Sequence, residues 1–190
     1  EFYPVFAGFS RNIMRADVIR YLIMHKYGGV YLDLDYEILK PFDFEDRDII
    51  LPIALSKKDG DSTDMLGNCF LASVPGHKLW EDVIDDLQNH PPVVTDYTQV
   101  IDASGPGLLS KIYYRGNYPD IYTPEKLIYN PIQNLNTIWY SKRYINKIKK
   151  NGISLGIHYT WGSWIERFTL AYVKAQIRLV FKKILRKFRN

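Results

Sequence analysis

Asp33 and Asp35 stand one residue apart at the end of the apolar run Val30-Tyr31-Leu32. In an extended chain alternate side chains point the same way, so the two carboxylates share one side. Like charges so placed repel unless something positive sits between or beside them. A hard divalent cation meets that need, since Mg²⁺ and its like are held by one or two carboxylates together with phosphate oxygens. An isolated Asp-x-Asp reads more readily as a solvated strand end. The apolar strand before it and the double glycine Gly28-Gly29 turn the reading towards a metal.

Asp17 and Arg20 form a second pair. A spacing of three puts them on one helix face, close enough to pair. Ile13 and Met24 share that face, so a structural ion pair and a functional one are equally open readings. Arg20 offers a planar fork of donors suited to a carboxylate, a phosphate or sugar hydroxyls. A phosphatase of the haloacid dehalogenase type also ends a strand in Asp-x-Asp, with Thr or Val two residues on. Glu37 occupies that place here, which weakens the phosphatase alternative.

These residues need elements to hold them. Residues 10–27 read as a helix, with Ser10 as N-cap, Gly28-Gly29 as stop, and Met14, Val18, Tyr21 and Leu22 as its apolar stripe. Val30-Tyr31-Leu32 reads as a short buried strand, and Ile49-Ile50-Leu51 and Cys69-Phe70-Leu71-Ala72 as two more. Residues 56–66 read as a polar loop. Helices are expected over 77–89, stopped by Pro91-Pro92, and over 107–114. Residues 117–140 hold short strands at best. A long helix is expected over 164–188, where Ser163 with Glu166 forms a capping box. Alternating helices and short strands imply an α/β layered domain. His77 and His90 read as surface or capping residues.

The chain has 190 residues, 46% apolar and 24% charged, which excludes disorder and fits about one domain. The single cysteine, Cys69, forms no internal disulfide, and no apolar run approaches the ~20 residues of a membrane-spanning helix. The net charge of +4 conceals a division. Residues 1–141 carry 12 Lys+Arg against 20 Asp+Glu, whereas residues 142–190 carry 13 Lys+Arg and only Glu166. A basic tail on an acidic body suggests a partner of its own.

The run Arg15-Ala16-Asp17-Val18-Ile19-Arg20-Tyr21-Leu22, followed by Tyr27-Gly28-Gly29-Val30-Tyr31-Leu32-Asp33-Leu34-Asp35, resembles the Asp-x-Asp sugar-binding region of glycosyltransferase family 32. That group includes the yeast initiating mannosyltransferase and bacterial polysaccharide enzymes, and it is distantly similar to the clostridial toxin glucosyltransferases. Weaker echoes occur at Gly67-Asn68, Pro75-Gly76-His77, Gly105-Pro106-Gly107 and His158 to Trp164. The resemblance implies a GT-A type fold, with a Rossmann-like sheet and helices on both sides. It implies transfer of a sugar, with retained anomeric configuration, from a UDP- or GDP-sugar to a glycan or lipid-linked acceptor. Asp33, Asp35 and His158 would hold Mn²⁺ or Mg²⁺. Asp17 and Arg20 would grip the donor sugar, with Asn68 near the reacting centre. Ser163 and Trp164 would touch the diphosphate or close over it.

On this reading residues 1–163 form the catalytic domain and residues 164–190 a basic amphipathic helix. Val173, Ile177, Val180, Phe181, Ile184 and Phe188 lie on one face of that helix, and Lys174, Arg178, Lys182, Arg186 and Arg189 on the other. Membrane contact through 173–190 and packing on the body are equal alternatives, and no nucleic-acid partner is expected. The enzyme is placed at the inner membrane face if bacterial, or in the Golgi lumen if eukaryotic. Only nine residues precede the first helix, so the expectation is an N-terminally truncated piece that binds nucleotide sugar poorly by itself. A non-catalytic carbohydrate- or membrane-binding relative is the alternative.

Overall fold

A computed structural model describes residues 2–42, 44, 47–59, 61, 63–132 and 142–159. The expected helix over 164–188, with Ser163 and Trp164, lies outside the described residues.

A short helix, α1 (Tyr3–Gly8), opens the chain. Phe9 then enters the core, and the chain turns through an extended Arg11 before α2 (Asn12–Tyr27) begins. Arg11 is therefore the N-cap instead of Ser10, and its side chain caps nothing. Helix α2 buries Met14, Val18, Tyr21 and Met24 along one stripe, with Asp17 and Arg20 beside them. It stops at Gly28, whose φ of 63° is a conformation that L side chains rarely adopt. A Cβ on Gly28 would also fall 2.6 Å from the Ser73 carbonyl oxygen. Only glycine satisfies both demands.

The chain reverses into β1 (Gly29–Leu32), then β2 (Tyr36–Ile38), β3 (Ile49–Ile50), β4 (Ile53–Leu55), β5 (Met65–Leu66) and β6 (Phe70–Ser73). Helices α3 (Lys78–Asn89), α4 (Val100–Ala103) and α5 (Pro106–Arg115) follow. The described chain then supplies β7 (Ile121–Tyr122), α6 (Lys126–Tyr129), α7 (Lys142–Lys149) and β8 (Gly156–His158). His77 is the N-cap of α3, where its Nδ1 accepts from the Leu79 N–H at 3.1 Å.

The central sheet has the order β1-β6-β3-β7. Its β1–β6 and β6–β3 pairs are antiparallel, and its β3–β7 pair is parallel. Strand β1 lies at the edge, so Val30 is 48% exposed and the expected buried strand is instead half open to solvent. The inner strands alternate their side chains between two cores. Ile49 and Leu71 face the larger one with Trp80, Leu87 and Leu109 of α3 and α5. Ile50, Phe70 and Ala72 face the smaller one with Tyr129 of α6. The result is a mixed α/β layered domain.

Two smaller pairings complete it. Strand β4 pairs with β5, and β2 pairs antiparallel with β8, placing Tyr36 opposite His158. Helix α7 packs behind β2 and β8, with Ile148 against Ile132 and Ile157. Thus His158 arrives at the end of β1 because β2, the continuation of the Asp-x-Asp segment, is its pairing partner.

Candidate active site

Strand β1 ends at Leu32, and Asp33 to Tyr36 form a turn closed by the Tyr36 N–H on the Asp33 carbonyl at 3.0 Å. The Asp33 N–H itself donates to the Cys69 carbonyl at 2.9 Å, which fixes the turn to the start of β6. Leu34 at the tip is fully exposed. The flanking acids instead point to a common place. His158 Nε2 lies 3.1 Å from Asp35 Oδ1 and 3.6 Å from Asp33 Oδ2. One potential ligand atom from each of Asp33, Asp35 and His158 falls within 4.8 Å of the others.

Two carboxylates and an imidazole suit a divalent ion of the Mg²⁺ or Mn²⁺ kind, so the donor set fits the metal that the sequence implies. Asp33 uses Oδ1 for the protein, accepting from the Tyr31 hydroxyl at 2.8 Å and from Arg20 Nη1 at 3.1 Å. Its Oδ2 remains on the His158 side. Burial pulls the His158 imidazole towards its neutral form. The adjacent Cys69 sulfur and the Asp35 carboxylate outweigh it and raise the ring's pKa to about 10. A protonated ring balances the two acids, but a ring that holds a metal through Nε2 must be neutral, so metal binding here would release the His158 proton. The Tyr36 ring stacks on it at 6.4 Å.

Beneath this cluster Arg20 is held at each nitrogen. Its Nε donates to the Ala16 carbonyl at 3.3 Å, and Nη1 donates to the Asn68 carbonyl at 2.6 Å as well as to Asp33. Nη2 lies 3.2 Å from Asp17 Oδ1. The guanidinium also covers the Tyr31 ring at 4.7 Å, a cation–π contact. Asp17 accepts in addition from Asn68 Nδ2 at 2.9 Å and from the Ser104 hydroxyl at 3.1 Å. Burial raises the Asp17 pKa to about 6, against the pull of Arg20, Ser104 and Asn68. Asn68 Nδ2 also reaches the Tyr21 hydroxyl at 3.3 Å.

The structure therefore brings Asp17, Arg20, Asp33, Asp35, Asn68 and His158 into one connected network. Asp17 and Arg20 are each only 4% exposed, and both Asp17 oxygens already have protein donors. They form the floor of the cluster. Ser163 and Trp164 lie outside the described residues. Tyr31, Ser104 and Tyr36 join the network without having been singled out by sequence. Tyr31 had a visible signal, since period two places it on the Asp33 side of the strand. Ser104 had none, because its link to Asp17 spans 87 residues.

Part of this network lies in a region that is similar to known proteins. Residues 1–53 match the family described as "Glycosyltransferase sugar-binding region containing DXD motif". Inositol phosphoceramide mannosyltransferase 1 of Schizosaccharomyces pombe is 36% identical over 115 residues, 57% of this chain and 33% of that protein. Inositol phosphoceramide mannosyltransferase 2 of the same yeast is 32% identical over 124 residues, 63% of this chain and 34% of that one. Mannosyl phosphorylinositol ceramide synthase SUR1 of Saccharomyces cerevisiae is 32% identical over 115 residues, 59% of this chain and 28% of that one. The chain thus spans about a third of the length of these curated relatives. Its resemblance is to glycosyltransferases of the family 32 type, and the matched sugar-binding region holds Asp17, Arg20, Asp33 and Asp35.

Proposed function

We propose that the protein is a divalent-metal-dependent, retaining glycosyltransferase of GT-A type. In this reading it moves a mannosyl group from a nucleoside diphosphate to the headgroup of an inositol-phosphate sphingolipid. The observation that carries the reading is the meeting of Asp33, Asp35 and His158 beside the buried Arg20, within and next to the matched sugar-binding region. The names of the yeast relatives support mannose and the lipid acceptor.

Asp33 through Oδ2, Asp35 and His158 are the residues that would hold Mn²⁺ or Mg²⁺. Such an ion supplies positive charge against the departing diphosphate. The chain's own part is preorganisation. Arg20 and Tyr31 fix Asp33 by the same oxygen, and Asp17 fixes Arg20 and Asn68, so little rearrangement is needed when the donor arrives. Ser163 and Trp164 are assigned to the diphosphate end. In retention the acceptor oxygen bonds to the anomeric carbon on the face from which the diphosphate leaves. The old carbon–oxygen bond breaks to phosphate, and the acceptor proton passes to that phosphate oxygen. No side chain is needed as general base.

The test is a panel of UDP- and GDP-sugars with Mn²⁺ and inositol phosphoceramide, assayed on the full-length protein, with the products read by mass spectrometry and NMR. The expected result is mannosyl transfer with the donor's anomeric configuration. Inversion overturns retention. Failure to transfer or hydrolyse any donor favours the non-catalytic binding alternative.

A further inference from the structure

Residues 126–165 contain no Asp or Glu, and α7 with the residue after it supplies Lys142, Arg143, Lys147, Lys149 and Lys150. The helix turns Tyr144, Ile145 and Ile148 inward against Ile132, Ile157 and Leu39. That spacing leaves Lys142, Arg143, Lys147 and Lys150 exposed on the outside. Lys149 is committed elsewhere, since its Nζ lies 2.5 Å from Glu37 Oε1 while the Tyr159 hydroxyl donates to Glu37 Oε2. Within the described residues it is the only one of the five cations with an ion pair.

The turn after α7 adds apolar surface. Ile153 is 53% exposed and Leu127 is 44% exposed. Their segments are tied together, because the Ser154 hydroxyl donates to the Leu127 carbonyl at 2.7 Å. The turn is tied down: Asn151 Oδ1 accepts from the Ile153 and Ser154 N–H groups at 2.8 and 2.9 Å. The Lys40 ammonium donates to the Gly152 carbonyl from the other side. The turn that carries the exposed Ile153 is thus fixed three residues beyond Lys150, and it is tied to the segment that carries the exposed Leu127.

We propose that Lys142, Arg143, Lys147 and Lys150, with Ile153 and Leu127, form a docking surface for an anionic lipid bilayer. Cations of this kind gain by approaching lipid phosphates, and adjacent aliphatic groups gain by entering the acyl boundary. Single-stranded nucleic acid is bound instead by aromatic side chains on which bases stack. The protruding side chains of the turn are aliphatic, so the bilayer is the favoured partner. The purpose of the docking rests on the transferase reading, because a lipid-borne acceptor is met at such a surface. The turn after α7 also leads directly into β8 and His158.

The test is co-sedimentation with phosphatidylcholine vesicles, with and without phosphatidylserine, in the absence of donor, acceptor and metal. Two variants are compared with the unmodified protein. One carries Lys142→Gln, Arg143→Gln, Lys147→Gln and Lys150→Gln and keeps Lys149. The other carries Lys174→Gln, Arg178→Gln, Lys182→Gln and Arg186→Gln, which removes charge from the tail. The unmodified protein and the tail variant are expected to bind only the anionic vesicles. The α7 variant should lose at least about tenfold in partitioning, since each cation near the surface contributes comparably. A smaller loss overturns the proposal, as does equal binding to neutral vesicles or binding to heparin with none to vesicles. Should the α7 variant fail to fold, amide exchange on the unmodified protein decides the matter. Anionic vesicles should protect residues 142–153, and unchanged exchange overturns the proposal. Because no turnover is read, failure of this test and failure of the transferase reading are separate results.

Discussion

His158 Nε2 lies 3.1 Å from Asp35 Oδ1 although 123 residues separate them in sequence. The contact exists because β2 continues directly from the acidic turn and pairs with β8 in a register that sets Tyr36 opposite His158. The same register sets Glu37 opposite Ile157, and Glu37 in turn holds Tyr159 and Lys149. Hydrogen bonds from Lys149 and Tyr159 keep the Glu37 carboxyl below its ordinary range. One short two-stranded ribbon thus ties His158 to the acidic turn.

Tyr31 shares Asp33 Oδ1 with Arg20. Tyr31→Phe removes the hydroxyl and keeps the ring under the guanidinium. Loss of such an outer partner commonly costs about 10–100-fold in metal affinity. A Mn²⁺ titration followed by electron paramagnetic resonance should therefore show binding weakened by at least about tenfold. Unchanged affinity would show that Arg20 suffices to orient Asp33.

Asp17 makes stability depend on pH. Its folded pKa is raised from 3.8 to about 6, so its contribution is fully present below 3.8 and is lost as pH rises through about 6. The loss amounts to about 3 kcal/mol at most, because a pKa difference of one corresponds to about 1.36 kcal/mol. Asp17→Asn does not titrate. The unmodified protein should therefore lose stability relative to that variant between about pH 4 and pH 7 in chemical denaturation. Parallel stability curves would show that Asp17 titrates alike in the folded and unfolded chains.

Gly28 and Gly29 separate conformation from contact. Both have positive φ, 63° and 90°, but a Cβ on Gly28 meets Ser73 and Pro75 whereas one on Gly29 meets nothing within 4 Å. Gly29→Ala should cost about 1–2 kcal/mol, the backbone strain alone. Gly28→Ala should cost clearly more, because β6 must also shift. Equal melting temperatures for the two variants would refute the close packing of Gly28 on β6.

Much of this site is legible in the sequence. The Asp-x-Asp pair after an apolar strand, and the three-residue spacing of Asp17 and Arg20, are local patterns, and both residue pairs meet in the folded chain. Period two also points to Tyr31. What escapes is long-range or short in extent. Strands β2 and β8 have three residues each, too few for a periodic signal. Helix α7 hides its few apolar positions among lysines. Strand β1 has an apolar sequence, but its edge position, which leaves Val30 exposed, depends on which strands pair. The cap of α2 lies at Arg11 and not at Ser10, just after the buried Phe9.

A sugar-transfer centre built on Asp33, Asp35 and His158 must depend on both the ion and the acids that hold it. The decisive experiment is Mn²⁺-dependent turnover of nucleoside-diphosphate mannose, as transfer or as donor hydrolysis, by the full-length protein, unmodified and with Asp35→Asn. Turnover should disappear on chelation and fall by at least about 100-fold in the variant, the scale of losing a principal electrostatic contact in a transition state. Turnover by Asp35→Asn at a level close to that of the unmodified protein would be incompatible with a metal centre at these three residues.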